Sequence, residues 1–128
     1  MKTVFTQIKK LIELLFLQEL TSLKIKEKIM YKKLLQSELN NQHLEGKAII
    51  AFRAVWCPTC QMVGPELERL ASSDEGINVF DFDVDQNIAF AREMNVSSIP
   101  SLFYFKDGKL VNHTVGYMPA EELKNQFK

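Results

Sequence analysis

The sequence contains only two cysteines among its 128 residues, and its 16 basic and 16 acidic side chains leave no net formal charge. A domain of this size does not need a disulfide to fold, so two cysteines three positions apart require a chemical explanation. Without net charge, no overall field attracts nucleic acid. Internal repeats and low-complexity tracts are also lacking. We therefore predict one compact domain that recognises its partners through a local surface and does not bind nucleic acid.

Long hydrophobic runs are lacking too. The apolar stretch at residues 11–17 is interrupted by Glu13 and is far shorter than the roughly 20 residues that span a bilayer. No small-residue cleavage site of the kind found after secretory signal peptides follows it. Catalytic cysteine pairs are also more usual in reducing compartments. The sequence therefore predicts a cytoplasmic protein without a transmembrane segment.

We predict that residues 1–27 form an extension made mainly of one amphipathic helix. Within residues 3–20, apolar side chains follow helical spacing: Val4, Ile8, Leu11, Ile12, Leu15 and Phe16. We expect this apolar face to pack on the core of the protein itself, and a dimer contact or a membrane-surface contact are the alternatives. Residues 21–26 favour a short edge strand, although Ser22 could instead cap a helix.

Residues 28–128 predict an α/β domain. A helix over residues 27–41 precedes a β-α-β-α-β-β-α order, which is typical of a mixed sheet. Strands are predicted over residues 48–55, 77–84, 101–105 and 109–115, and helices over residues 57–71, 86–94 and 119–127. The first of these strands is almost entirely apolar apart from Arg53, as expected for a central strand buried on both faces. The Asp107-Gly108 pair predicts a tight hairpin turn.

The two cysteines lie in the sequence WCPTC, residues 56–60, where the buried strand gives way to a helix. Unpaired amides at a helix amino terminus stabilise a thiolate, so Cys57 is predicted to attack and Cys60, one turn later, to resolve the mixed disulfide. A zinc site needs about four ligands, and only His43 and His113 could complete it, at unrelated spacing. Packing of two buried thiols is the other alternative. We predict a redox-active pair and no metal site.

From about Gly46 to Phe127 the chain resembles the thioredoxin family in the order and spacing of its motifs. These are IIAF before WCPTC, then QMVGPELERL, DFDVDQN, VSSIPSLFYF, the KDG turn and the VG before the last helix. The resemblance implies a thioredoxin-like fold with a mixed central sheet of four to five strands flanked by helices. It also implies an enzyme that reduces protein disulfides, with no cofactor beyond the redox-active Cys57–Cys60 disulfide. The first 45 residues match the family only loosely.

The resemblance further implies a substrate surface around Cys57. Ile99-Pro100 matches the cis-proline element that holds substrate backbone beside the cysteines, and a plain loop proline is the alternative. The other positions carried over are Trp56, Pro58 and Gly116. A shallow apolar surface of this kind suits extended polypeptide. Protein disulfides are thus the expected substrates, and a thioredoxin reductase or another dithiol donor is the expected electron source.

Two departures from the family pattern concern the cysteines and the strand beneath them. Pro58-Thr59 replaces the usual Gly-Pro, and the Thr59 hydroxyl could donate to a thiolate and make the protein more oxidising, or could simply lie on the helix surface. The buried aspartate of the family falls on Ala51, and its lysine neighbour falls on Asp81. We hypothesise that Asp81 supplies the missing carboxylate, with a pKa raised by desolvation. An Asp81 that faces solvent is the alternative.

A third departure is Arg53, which occupies an aromatic position of the family and should share a strand face with Ala51. It could lower the pKa of Cys57 or pair with Asp85, and the alternative is an arginine that extends past the core to solvent.

Two other functions compete with disulfide reduction. Pro58-Thr59 favours a disulfide oxidase or isomerase, although no export signal accompanies it. A non-enzymatic alternative is an interaction module with the same fold, docked through residues 1–27, in which turnover is incidental.

Overall fold

Five strands form one mixed sheet, and the strand that leads to the cysteines lies at its centre. In this computed structural model, which describes residues 31–128, the strands are β1 Lys32–Lys33, β2 Lys47–Arg53, β3 Ile77–Asp83, β4 Ser101–Lys106 and β5 Lys109–Val115. β2 pairs in parallel with β3 and antiparallel with β4. β1 extends the sheet beyond β3, and β5 extends it beyond β4. The predicted mixed sheet and the central place of its first long strand are confirmed.

Helices cover both faces of this sheet. They are α1 Pro58–Ala71, α2 Ile88–Glu93 and α3 Ala120–Asn125. α1 and α3 pack on one face, where Leu67 and Leu123 meet Ile49. The opposite face carries a cluster of phenylalanines, some from the strands and one from α2: Phe52, Phe80, Phe82, Phe90, Phe103 and Phe105. Because side chains alternate along a strand, residues 49, 51 and 53 of β2 all point toward α1.

The centre of β2 is buried because side chains pack against it on both faces of the sheet. Ile49, Ala51 and Phe52 are fully buried. The Phe52 ring lies 5.1 Å from the ring of Phe90 and 5.7 Å from that of Phe103, both edge to face. Burial of one such side chain stabilises the fold by about 1.5–3 kcal/mol. The strand that ends just before the cysteines is therefore a fixed base for them.

The ends of the elements predicted after residue 47 shift by at most two residues. β2 stops at Arg53, and Val55 is already 74% exposed. α2 begins only at Ile88, because the Asn87 side-chain amide donates to the Asp83 carbonyl at 3.0 Å and holds a turn there. Pro119 is the residue before α3 rather than its first residue. The hairpin turn is confirmed at Asp107 and Gly108, whose φ angles are 48° and 84°.

The predicted helix over residues 27–41 is wrong in its described part. Residues 32 and 33 form β1, and short 3-10 turns follow at Gln36–Glu38 and Asn41–Leu44. The physical reason is competition: the Glu38 and Asn40 side chains accept hydrogen bonds from nearby backbone amides, which holds turns instead of a helix. The apolar spacing of Leu34 and Leu39 serves packing on the phenylalanine cluster.

The predicted helix at residues 3–20 and the predicted strand at residues 21–26 lie outside the described residues. The dimer or membrane-surface contact assigned to residues 3–20 lies outside them as well. Among residues 31–128, no helix is both long enough and apolar enough to cross a bilayer.

Candidate active site

Cys57 and Cys60 lie at the start of α1, directly after the turn that leaves β2. Cys57 is the N-cap residue, and its Sγ accepts a hydrogen bond from the backbone N–H of Cys60 at 3.3 Å. Pro58 occupies the first helical position, where its missing N–H costs nothing and its fixed φ suits the helix. The helix amino terminus therefore points its free amides at the Cys57 sulfur, as the sequence predicted.

The two thiols have different environments. Cys57 is 6% exposed and reaches the surface, whereas Cys60 is fully buried. Burial acts to raise the pKa of the Cys57 thiol, but hydrogen bonds from Cys60 and Thr59 outweigh it and bring that pKa below its ordinary value. Burial and the hydrogen bond that Cys60 makes to Cys57 raise the pKa of Cys60 to about 12. One thiol is thus prepared to ionise, and the other holds its proton.

The residues assigned to a substrate surface meet beside Cys57. The Ile99–Pro100 peptide bond is cis, and the Cys57 thiol lies 4.0 Å from the Ile99 carbonyl oxygen. The backbone N–H of Gly116 donates to the Pro100 carbonyl at 2.9 Å, and Gly116 adopts a φ of 98°, which favours glycine. Pro100 itself is buried, so it supports this surface from below.

Trp56 forms the rim of the same surface. Its side chain is 67% exposed, and its indole N–H donates to the Asp85 carboxylate at 2.8 Å. Val55 next to it is also exposed. An anchored, exposed aromatic ring beside a reactive thiol offers apolar contact to whatever approaches Cys57.

Behind the cysteines, Arg53 and Asp81 form a buried ion pair. Arg53 Nε donates to Asp81 Oδ1 at 3.0 Å, and Nη2 donates to Oδ2 at 2.9 Å. The side chains are only 15% and 7% exposed. The alternative of a solvent-facing Asp81 is therefore wrong. The predicted pairing of Arg53 with Asp85 is also wrong, because Asp85 lies beyond the end of β3 and binds Trp56 instead.

Tyr31 completes this group, and sequence reasoning missed it. Its hydroxyl donates to Asp81 Oδ2 and accepts a hydrogen bond from Arg53 Nη2 at 2.6 Å. Burial and the negative charge of Asp81 raise the pKa of Tyr31, so the hydroxyl keeps its proton. The apolar spacing of residues 27–41 predicts a helix and so gives no signal that Tyr31 lies beside β3. A strand prediction beside β3 would have placed it next to Asp81.

Arg53 also reaches the active-site helix. Its Nη1 donates to the backbone carbonyl of Cys60 at 2.8 Å. Burial acts to lower the pKa of the guanidinium, but hydrogen bonds and charge from Asp81 raise it above its ordinary value, so Arg53 remains a cation. Its charge favours ionisation of Cys60. The predicted cation near the cysteines is present, and it acts on Cys60 rather than on Cys57.

Gly64 makes room for this arginine. A Cβ atom at Gly64 would lie 2.5 Å from Arg53 Nη1, which is closer than real contacts allow. On the other side, a cleft of about 310 Å³ opens beside the ion pair. Its polar lining comprises Lys33, Arg53, Gln61, Asp81, Asp83 and Gln86. The guanidinium is therefore enclosed by α1 on one side and borders a polar cleft on the other.

Within residues 31–128, no three histidine, cysteine or carboxylate side chains come together as a metal site requires. Cys57 and Cys60 are free thiols in this structure.

The thioredoxin family model matches residues 26–128 of this chain. A thioredoxin of Staphylococcus saprophyticus is 39% identical over 92 residues, and one of Staphylococcus aureus is 38% identical over 92 residues. Each alignment covers 71% of this chain and 88% of the relative.

Solved structures give the same result for the fold. A mutant thioredoxin of Halobacterium salinarum has a TM-score of 0.70 at 32% identity, covering 77% of this chain and 88% of that chain. A thioredoxin of Malassezia sympodialis has a TM-score of 0.65 at 25% identity, covering 76% and 88%. Since the family model spans both cysteines and the relatives and solved structures are thioredoxins, this chain belongs to the thioredoxin family and is a thiol-disulfide oxidoreductase.

Proposed function

We propose that this protein reduces disulfides in other proteins, with Cys57 as the nucleophile and Cys60 as the resolving thiol. The observation that carries the proposal is the opposite tuning of the two sulfurs. Cys57 reaches the surface with a lowered pKa, and Cys60 is buried with a raised one. Because a thiolate is the attacking form, Cys57 reacts first with an external disulfide.

Reduction then takes two exchange steps. The Cys57 thiolate attacks one sulfur of the substrate disulfide, forms a mixed disulfide and releases the other sulfur as a thiolate that takes up a proton. Cys60 gives up its proton and attacks Cys57 Sγ, which breaks the mixed disulfide and releases the second substrate thiol. The substrate gains two electrons, and the Cys57–Cys60 pair becomes a disulfide.

The surface around Cys57 supports polypeptide as the substrate class. Trp56 offers an exposed ring on one side, and the Ile99–Pro100 loop lies on the other. Pro58 is exposed at the start of α1 between them. A shallow apolar surface of this kind accommodates an extended segment better than a small polar metabolite does.

The oxidised pair must be returned to the dithiol form by an external donor. Thioredoxin reductase is the donor that we propose, and another dithiol is the alternative. A cytoplasmic location, predicted from the sequence, would suit this cycle, because reducing compartments keep such donors supplied.

The test is catalysed reduction of insulin by dithiothreitol, with Cys57→Ser and Cys60→Ser as a matched pair. Both variants should lose turnover, but only Cys60→Ser should accumulate a stable mixed disulfide with the substrate, attached at Cys57. Wild-type protein should be recycled by thioredoxin reductase. Trapping on Cys60 in the Cys57→Ser variant, or equal trapping in both, would contradict the assignment of the two roles.

One observation favours disulfide formation or isomerisation as a second candidate. Hydrogen bonds from Thr59 lower the pKa of Cys57 and thereby stabilise the reduced form. A more stable reduced form makes a stronger oxidant. Oxidative refolding of a reduced, unfolded substrate separates the candidates, since a reductant of protein disulfides should not accelerate it.

A further inference from the structure

The strongest unexplained feature is the buried group of Arg53, Asp81 and Tyr31 behind the active-site helix. We propose that Arg53 is a positioning residue for the resolving step: anchored by Asp81 and Tyr31, its guanidinium holds the first turn of α1 and places a positive charge beside Cys60. This inference rests on the proposed function, because it concerns the second of the two exchange steps.

Four hydrogen bonds fix the guanidinium in one orientation. Two run to the two oxygens of Asp81, one to the Tyr31 hydroxyl and one to the Cys60 carbonyl. An arginine fork is planar and permanently charged, so bidentate binding to Asp81 determines where the remaining Nη1 points. Nη1 points at the backbone of Cys60.

The space around the arginine is shaped for it. Gly64 lies one turn after Cys60 and has no Cβ, where such an atom would be 2.5 Å from Nη1. Ala51 pairs with Asp81 across the sheet and adds no polar group of its own. Two small residues thus accommodate an ion pair at the base of the active site.

The Arg53 charge assists the second exchange step. Cys60 is fully buried, and burial is the main reason that its pKa is raised. To attack Cys57 Sγ it must lose its proton, and a neighbouring cation favours the thiolate that remains. Arg53 exerts this effect on Cys60.

Other charged groups face the same region. Asp81 on β3 offsets part of the Arg53 charge, and Lys33 and Asp83 line the cleft beside the pair. Both Asp81 oxygens already accept hydrogen bonds from Arg53. These contacts suit an anchor for the guanidinium better than a free base that receives the Cys60 proton.

The experiment mixes reduced protein with one equivalent of an aromatic disulfide whose thiolate product is coloured. The first thiolate appears when Cys57 attacks, and the second appears when Cys60 attacks Cys57 Sγ and closes the protein disulfide. Stopped-flow absorbance gives the rate of each phase across a pH series. The first phase tests the proposed function, and the second tests the role of Arg53.

Arg53→Met should slow the second phase about tenfold at neutral pH and raise its pH midpoint by about one unit, while the first phase keeps its rate. Arg53→Lys should recover part of the loss, because it restores charge without the fork. Arg69→Met is the matched control: Arg69 is an exposed arginine on the same helix, paired with Glu66, and this variant should change neither phase. An unchanged second phase in Arg53→Met would overturn the proposal.

Asp81→Asn separates the anchor from a proton acceptor. If Asp81 acts only as the anchor of Arg53, Asp81→Asn should slow the second phase in the wild-type background and should have no further effect in the Arg53→Met background. Further slowing of the second phase by Asp81→Asn in the Arg53→Met background would overturn the proposal, because Asp81 would then act on the Cys60 proton independently of Arg53. Should Arg53→Met fail to fold, Gly64→Ala displaces the guanidinium without removing it and should slow the second phase.

Discussion

The front and the back of the cysteine pair are built in different ways. The front is the side of the pair where Cys57 reaches the surface, and backbone geometry determines its shape. Cys57 caps α1, the cis Ile99–Pro100 bond lies beside it, and Gly116 holds that loop. The back is the side where Cys60 is buried, and side chains determine its structure. There, Arg53 bridges Asp81 to the Cys60 carbonyl. The front carries the landmarks of the thioredoxin family apart from Pro58-Thr59, whereas the back holds the other departures of this chain, at Ala51, Arg53 and Asp81.

This difference indicates which properties the two sides control. A backbone frame fixes where Cys57 meets a substrate and tolerates sequence change around it. A network of charged side chains changes the ionisation of the buried thiol without moving that frame. Under the proposal made above, the front keeps the family chemistry while the back adjusts the rate of the second step.

The largest expected effect is a difference in reactivity between the two thiols. Iodoacetamide at pH 7–8 should alkylate Cys57 faster than Cys60 by a factor on the order of a hundred or more, since Cys57 has the lower pKa and Cys60 is buried. Mass spectrometry of the alkylated peptides measures both.

Thr59 variants sharpen this reactivity test. Thr59→Ala should raise the pKa of Cys57 and move its alkylation profile to higher pH, because a lowered pKa depends partly on the Thr59 hydrogen bond. Thr59→Ser keeps a hydroxyl and should retain the wild-type profile. Alkylation of Cys60 at a rate similar to that of Cys57 would contradict the difference in ionisation and burial between the two thiols.

The next effect concerns the strand that both sides share. Phe52→Ala should lower the free energy of unfolding by about 3–5 kcal/mol, because the ring is fully buried among other phenylalanines. Urea denaturation measures it. Leu110→Ala, at a side chain that is 53% exposed on β5, should change stability by no more than about 0.5 kcal/mol. Similar losses for the two variants would contradict the central role of β2.

Substitution of Gly64 tests how closely α1 packs against the Arg53 guanidinium. Gly64→Ala should cost about 1–3 kcal/mol, since the new Cβ displaces Arg53 Nη1. In an Arg53→Ala background the same change should be neutral or stabilise by up to about 1 kcal/mol, because alanine favours helix. A double-mutant cycle in urea measures this reversal of sign. Equal effects in both backgrounds would show that Arg53 and Gly64 do not interact.

The smallest effect is expected at the front rim. Trp56→Ala should raise KM for a polypeptide disulfide by about threefold and leave kcat nearly unchanged, because the exposed ring contributes apolar contact only. Leu110→Ala, exposed on β5 near the hairpin turn, serves as the control and should leave KM as it is. A Trp56→Ala variant that loses kcat instead would give the ring a part in the exchange steps.

Local signals in the sequence predicted the start of α1 on the front and the hairpin turn at the opposite end of β2, whereas the family resemblance predicted the Ile99-Pro100 element and Gly116. Pro58 after a buried strand marks the start of a helix, and Asp107-Gly108 marks a hairpin turn, because each depends on the conformation of one or two residues. The back depends on contacts between distant residues. Arg53 and Asp81 are 28 positions apart, and Tyr31 and Asp81 are 50 apart.

The missed elements have the same cause. β1 is only two residues long and exists because Lys32 and Lys33 pair with β3. No local pattern predicts so short a strand. The leucines that follow it have a spacing that also fits a helix. The partner of Arg53 was missed because Asp81 lies diagonally across the sheet from it: the direct neighbour of Asp81 is Ala51, and that of Arg53 is Asp83.

A redox titration of the Cys57–Cys60 pair against glutathione tests most directly whether this protein is a reductant. Stabilisation of the reduced form by the hydrogen bonds that lower the pKa of Cys57 predicts a midpoint between about −270 mV, the value for thioredoxin, and about −200 mV, the upper value for glutaredoxins. A midpoint above about −180 mV, the value for protein disulfide isomerase, would contradict the reductase function and favour an oxidase or isomerase.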